Sequence, residues 1–377
     1  MNKIEIIATT TFGLEAVAAD ELRNLGYENL KVENGKITFL AEADAVCRCN
    51  LWLRTADRVR IKIGKFKAET FDDLFEQTKA LPWDEWIPVD GIFPVEGKSI
   101  KSKLFSVSDC QAIVKKAIVE KMKQIYKVGW FEETGAKYPI EVALLNDIAT
   151  LTIDTSGPGL HKRGYRKIGS YAPLKETLAA ALVLLSRWRP DTELIDPFCG
   201  SGTIPIEAAL IGQNIAPGMN REFISEHWPV IPRQYWRNAR KETHDLARFD
   251  EPLHIRGTDI DENVLKIARH NEEEAGIEGQ IHFQRMPVSE LSSSKKYGKI
   301  ICNPPYGERL GNTQEIIALY REIGKVFAKL DTWSFYILTA YGDFEKTFGK
   351  AASKKRKLYN GDIKVDYYQY FGPRPPR

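Results

Sequence analysis

The order of apolar and polar positions predicts two kinds of architecture in succession. Residues 3–8 alternate as a strand. Residues 11–25 follow with helical spacing of Leu14, Val17, Ala18, Leu22 and Leu25, and Gly26 is placed to stop that helix. Residues 31–40 read as a hairpin folded at Asn34-Gly35, 43–54 as a helix and 58–67 as a strand. The succession β-α-β-β-α-β is ferredoxin-like. A second α+β unit starts with a helix over 71–80 and a strand over 91–96. It continues with an amphipathic helix over 108–126 that aligns Ile113, Ala117, Ile118 and Met122, then a hairpin of 139–145 and 148–154 turning at Asn146-Asp147.

Ser156-Gly157-Pro158-Gly159 interrupts this pattern. Beyond it, strands at 193–195, 254–258, 281–284, 299–302 and 333–339 alternate with helices at 203–212, 262–275 and 314–330. That alternation predicts a doubly wound, Rossmann-like α/β domain. A closing hairpin, 357–359 with 363–370, turns the last strand antiparallel, which separates the methyltransferase variant of this architecture from the dinucleotide-binding one. The expected domains are 1–67, 68–156 and 157–377, α+β twice and then α/β.

Composition changes this picture little. Hydrophobic residues are 43% and charged residues 28%, ordinary for a globular protein, and 54 basic against 51 acidic residues leave a net charge of +3. The distribution is more informative: residues 1–160 hold 21 basic and 24 acidic residues, and 161–377 hold 33 and 27. A near-neutral total with local basic runs fits a protein that grips a polyanion by patches. The runs are Arg54, Arg58, Arg60, Lys62, Lys65, Lys67; then Lys162, Arg163, Arg166, Lys167 around Tyr165; then Lys350, Lys354, Lys355, Arg356, Lys357. Any one of them also reads as a solvated face. The five cysteines are scattered, which argues against a disulfide framework, and the six histidines have no metal-ligand spacing, so no metal is expected. No stretch approaches about 20 apolar residues, so a soluble cytoplasmic protein is expected, with no membrane partner.

Three motifs carry chemistry. Asp196-Pro197-Phe198-Cys199-Gly200-Ser201-Gly202-Thr203 joins an apolar strand to a helix. Its glycines allow close approach of a ligand, and an acidic residue at the strand end suits a cationic ligand group such as an amino-acid ammonium. Asp259, in Gly257-Thr258-Asp259-Ile260-Asp261, stands where a carboxylate accepts from both hydroxyls of a ribose, with Asp261 as the cap of the next helix. Asn303-Pro304-Pro305-Tyr306 follows a buried strand. There the Asn303 amide oxygen and the Pro304 carbonyl can accept from an –NH₂ group, and Tyr306 can stack on an extracted base. The long insertion 213–252, with Trp228, Tyr235, Trp236, Arg233, Arg237 and Arg240, reads either as a wall of a substrate pocket or as a local hydrophobic cover.

In this order the motifs resemble those of class I S-adenosyl-L-methionine-dependent amino-methyltransferases. Gly159–Arg166 and Ala172–Ala179 look like the signature that precedes the catalytic domain in THUMP-containing RNA methyltransferases, nearest to the bacterial large-subunit ribosomal RNA guanine-N2 group. The resemblance covers the whole chain. It implies that Asp196, Phe198, Gly200 and Gly202 hold the methionine half of the cofactor, and Asp259 its ribose. It also implies that Lys175, Glu176 and Thr177 lie near the cofactor's amino-acid end, and that Asn303, Pro304 and Tyr306 hold the base. Lys162, Arg163, Tyr165 and Arg166 are then candidates for RNA contact, ribosomal RNA being the expected partner. The chain departs from the family at Gln284-Arg285-Met286-Pro287-Val288, where no carboxylate is available for the adenine amino group, so backbone groups and Met286 are left for that contact. The same N-P-P-Y motif serves adenine-N6 methylation, which stays open beside a non-catalytic RNA-binding role.

Overall fold

The structure is a computed structural model describing residues 3–167, 174–306 and 313–376. Seven strands of the N-terminal half form one sheet. They are β1 (Ile4–Thr10), β2 (Lys31–Glu33), β3 (Lys36–Ala41), β4 (Ala56–Lys67), β5 (Val95–Ile100), β6 (Ile140–Leu145) and β7 (Ile148–Asp154), in the order β2-β3-β1-β4-β7-β6-β5. Its helices are α1 (Glu15–Asn24), α2 (Asp44–Trp52), α3 (Phe71–Lys79) and α4 (Val107–Tyr126). Both expected turns are present, with Gly35 at φ +73° and with Asn146 and Asp147 at φ +51° and +62°. The two α+β units share a seam: β4 is twelve residues long and pairs antiparallel with β1 along one edge and with β7 along the other. β5 lies further along the chain than the expected 91–96, because Pro94 lacks the amide a ladder needs and only an isolated bridge, Ile92 to Lys137, precedes it.

The C-terminal half contains α5 (Glu176–Ser186), β8 (Leu194–Asp196), α6 (Thr203–Gly212), α7 (Arg233–Leu246), β9 (Ile255–Asp259), α8 (Glu262–Glu274), β10 (Ile281–Arg285), β11 (Lys299–Cys302), α9 (Thr313–Phe327), β12 (Ser334–Thr339), α10 (Phe344–Phe348), β13 (Lys354–Asn360) and β14 (Ile363–Tyr370). Its sheet runs β10-β9-β8-β11-β12-β14-β13, parallel through β12, with β14 antiparallel to β12 and β13 antiparallel to β14. Helix α5 left no periodic signal because Leu178 to Val183 are buried all round, so no polar face marks a turn.

The insertion after α6 belongs to the N-terminal core. Phe223, Trp228, Ile231, Trp236 and Ala239 are buried there among residues of β1, α2 and β4. Trp228 stacks on Tyr138 at 4.6 Å between centroids and donates its indole N–H to the Lys137 carbonyl at 2.8 Å. On its other side, Glu242 of α7 takes a bidentate ion pair from Arg48 of α2 (2.7 and 2.8 Å). This favours the hydrophobic-cover reading for Trp228 and Trp236, and it makes the insertion one of the elements that hold the two halves together.

Two of the basic runs are accounted for in part by the fold. Arg54 is buried, and Arg58, Arg60 and Lys62 pair with Asp154, Glu141 and Glu5. Lys354, Lys355, Arg356 and Lys357 lie on β13, the edge strand, where charge discourages further strand pairing.

Candidate active site

The strand order reverses at β8, which has β9 on one side and β11 on the other. In an open α/β sheet the crevice beyond the strand ends at such a reversal is the ligand site. Asp196 is the last residue of β8 and Asn303 directly follows β11, so the glycine-rich turn and the N-P-P-Y segment leave the sheet side by side.

Asp196 is 1% exposed and accepts from the Phe198 amide at 3.0 Å. Burial pushes its carboxyl well above the usual carboxylate range, and the neighbouring Asp259 adds to that. A cation arriving there restores the ionised form. Gly200 sits at φ +53° with open space where a side chain would stand, so a ligand has access to its backbone. Gly202, at φ +83°, is closed from below: a Cβ there would meet Phe283 at 3.0 Å. It starts α6 without a side-chain cap, leaving first-turn amides to a ligand.

Asp259 accepts from the Gly200 amide at 3.0 Å and from the Asp261 amide at 3.1 Å. The cap of α8 is Asp261, which accepts from the Asn263 amide at 2.9 Å. Met286 donates its amide to the Asp259 carbonyl at 3.0 Å and packs, half-buried, against the same cluster as Phe198. Ile260 was missed by motif reading although it lies inside D-I-D. It is 67% exposed beside the ribose-type carboxylate and presents an apolar ledge on which a purine can lie.

In the N-P-P-Y segment, Asn303 Oδ1 is buried and has no hydrogen-bond partner among the described residues. The Pro304 carbonyl also receives no hydrogen bond among the described residues. The Pro305 carbonyl accepts from the Tyr320 hydroxyl at 3.1 Å, and that hydroxyl is 2.8 Å from Thr339 Oγ1 at the end of β12. Tyr320 therefore braces the loop from α9, a role no local motif signals. Tyr306 differs from expectation: it is 7% exposed and packed in the core with β11 and β14, so in this state it is not an open stacking platform. Cys199 and Cys302 are buried, and desolvation raises both thiols, so neither offers a thiolate.

The candidates for RNA contact divide. Arg163 and Tyr165 are 3% exposed and point inward. Arg163 donates to the Leu160 carbonyl at 2.7 Å and pairs with Glu207 at 3.4 Å, while the Tyr165 hydroxyl donates to Glu207 at 3.1 Å. Their expected surface role is thereby corrected: a wholly buried carboxylate needs these donors more than a ligand does. Arg166 is also structural, joining Thr203 Oγ1 (2.8 Å) and the Leu174 carbonyl (3.0 Å) and facing Glu176 at 3.5 Å. Lys162 alone of the four is exposed. Glu176 is buried, its Oε2 lacks a partner among the described residues, and burial raises its carboxyl. Thr177 is buried beside it. Among the described residues no group of three or more His, Cys, Asp or Glu side chains is arranged to hold a metal, and no helix is long and apolar enough to cross a membrane.

Comparison with known proteins fits this geometry. Residues 163–369 match the family profile described as RMKL-like methyltransferase domain, residues 5–60 the RlmL ferredoxin-like domain and residues 68–154 the THUMP domain. The chain is 56% identical, over its full length and 98% of the relative, to a Bacillus subtilis (strain 168) protein named "Putative RNA methyltransferase YpsC". It is 33% identical over 99% of its length to the ribosomal RNA large subunit methyltransferase K/L of Syntrophotalea carbinolica, of which it spans 55%. A crystal structure from Listeria monocytogenes described as a "predicted N6-adenine-specific DNA methylase" superposes with a TM-score of 0.94 at 55% identity, covering 98% of this chain and 97% of that one. The structure described as "SMU.472, a putative methyltransferase complexed with SAH" gives 0.95 at 45% identity with full coverage of both chains. With more than half of its residues in the catalytic profile and a full-length relative above half identity, the chain belongs to the RMKL-like methyltransferase family.

Proposed function

We propose that the protein transfers a methyl group from S-adenosyl-L-methionine to the exocyclic N2 amine of a guanosine in large-subunit ribosomal RNA, in the cytoplasm. The residues present suit the cofactor: a desolvated Asp196 awaiting a cation, open space over Gly200, uncapped amides at α6 and an apolar ledge at Ile260. Asp196, Phe198, Gly200 and Gly202 would hold its methionine half, Asp259 its ribose, and Met286 and Ile260 its adenine. The cofactor supplies an electrophilic methyl carbon on a sulfonium.

The observation that carries the reading is Asn303 Oδ1, a buried acceptor without a donor among the described residues, at the edge of the crevice. A buried unpaired acceptor costs about 1–3 kcal/mol, so its retention points to a donor brought by the substrate. Asn303 Oδ1 and the Pro304 carbonyl hold the two protons of an –NH₂ group and leave its lone pair facing the methyl donor. In-line positioning is the main demand on the protein, and the amino proton leaves to water once the new bond forms. Tyr306 reaches a base only if its ring is exposed when substrate binds.

The RNA assignment is supported by the THUMP profile and the names of the two relatives; the description of the Listeria structure supports the adenine-N6 alternative. Mass spectrometry of ribosomal RNA nucleosides with and without the gene separates them. Loss of N2-methylguanosine is expected, loss of N6-methyladenosine selects the alternative, and no change returns the protein to a non-catalytic RNA-binding role.

A further inference from the structure

Beside the segment that joins the two halves, the structure forms an open cleft of about 670 Å³ with His161, Lys162, Arg166, Lys175, Glu176, Arg221 and Glu222 in its wall. The wall is built rather than incidental. Arg221 donates to four carbonyls of the segment joining the two halves: Gly159 at 2.8 Å, Lys162 at 2.9 Å, Pro158 at 2.6 Å and Ser156 at 3.3 Å. This holds the segment as a fixed rim. Arg166 is anchored to Thr203 and Leu174, yet its Nε is buried with no partner among the described residues. Lys175 directly precedes α5 and lines the same space as Lys162 and Arg166.

The charges in the wall are unequal. Arg163 is matched by Glu207, and Arg166 faces Glu176. Lys162 and Lys175 have no ion pair among the described residues, and Glu222 is the remaining carboxylate of the wall. His161 registers the resulting potential. Burial first, then Lys175, Lys162, Arg163 and Arg221, hold its imidazole down to about 4. The cleft also adjoins the catalytic crevice, because Arg166 links it to Thr203, the first residue of the helix that the glycine-rich turn opens.

We propose that this cleft receives a backbone phosphate of the RNA substrate, held by Lys162 and Lys175, so that the nucleotide beside the target is fixed while the target base enters the crevice. The inference rests on the reading of RNA as substrate and adds where the strand is held.

The test measures binding of a fluorescent single-stranded RNA oligonucleotide of mixed sequence to the full chain across salt concentrations, with the matching DNA and with inorganic phosphate as further probes. Lys162→Ala and Lys175→Ala are each expected to weaken RNA binding about tenfold and to lower the slope of log affinity against log salt by about 0.7. Lys329→Ala, at an exposed position after α9, is expected to leave both unchanged. S-adenosylhomocysteine affinity of Lys162→Ala is expected to match the parent, which reports an intact fold. In nuclear magnetic resonance titrations, bound RNA is expected to raise the pKa of His161. If the parent binds RNA and neither lysine variant alters affinity or slope, the phosphate site is wrong while the substrate reading stands. If the parent binds the DNA but no RNA, both fall. If inorganic phosphate moves His161 and RNA does not, the cleft is an adventitious anion site and the inference is overturned.

Discussion

Asp259 Oδ2 accepts a hydrogen bond from the Gly200 amide at 3.0 Å, so the carboxylate at the end of β9 fixes the loop that leaves β8. One side chain thereby shapes the turn and offers its charge to the crevice. Asp259→Ala is expected to lower S-adenosylhomocysteine affinity at least tenfold by calorimetry. It should also destabilise the fold by about 1.5–3 kcal/mol in urea unfolding, the range for hydrogen bonds to a charged group. Unchanged affinity with lost stability would assign Asp259 to the turn alone.

Asn303 bears on transfer rather than on cofactor binding. Asn303→Ala removes one of the two free acceptors at the end of β11. Methyl transfer to RNA is expected to fall a hundredfold or more, with S-adenosylhomocysteine affinity within twofold of the parent. A parallel loss of both would mean that the side chain supports the cofactor pocket instead.

Tyr320 acts at one remove. Its hydroxyl reaches the Pro305 carbonyl and Thr339, so Tyr320→Phe keeps the ring in the core and removes only the brace. The expected result is a reduced kcat, by roughly tenfold, with cofactor affinity and melting temperature close to the parent. A fall in melting temperature with full kcat would make the contact purely structural.

Glu207 is fully buried between Arg163 and Tyr165. Removing the carboxylate strands the Arg163 charge in the interior, so Glu207→Ala is expected to cost about 3–5 kcal/mol of stability. Replacing both members with apolar residues should cost less than that single change, which a double-mutant cycle in denaturant measures.

His161 gives a pH dependence of defined sign. Its folded pKa of about 4 lies below the ordinary 6.5. Between those values the unfolded chain takes up a proton that the folded one refuses, so stability falls as pH drops through this window and is insensitive to His161 above it. Urea midpoints compared at pH 7 and pH 5 should show a smaller loss in His161→Asn than in the parent.

Much of the catalytic half was legible because its signals are local. A strand, two glycines and a helix start are contiguous at 194–203, and the N-P-P-Y segment abuts β11. Three features were hidden for physical reasons. Helix α5 is buried all round, so it has no polar face to reveal its period. The functions of Arg163 and Tyr165 depend on Glu207, more than forty positions away, so a basic-aromatic cluster looked like a surface when it is an interior network. The insertion after α6 mixes tryptophans with arginines, and only folding shows that the tryptophans turn inward against Tyr138 and Phe223.

β4 has a neighbour along each edge, one from either α+β unit. A scissile point placed between those units would strip hydrogen-bonding partners from both fragments and leave an adhesive border on each. The two modules therefore behave as a single stiff plate. Because the tryptophan-bearing insertion bolts that plate to the catalytic domain, the span from the sheet to the methyl-transfer crevice is set by the fold, as on a fixed gauge.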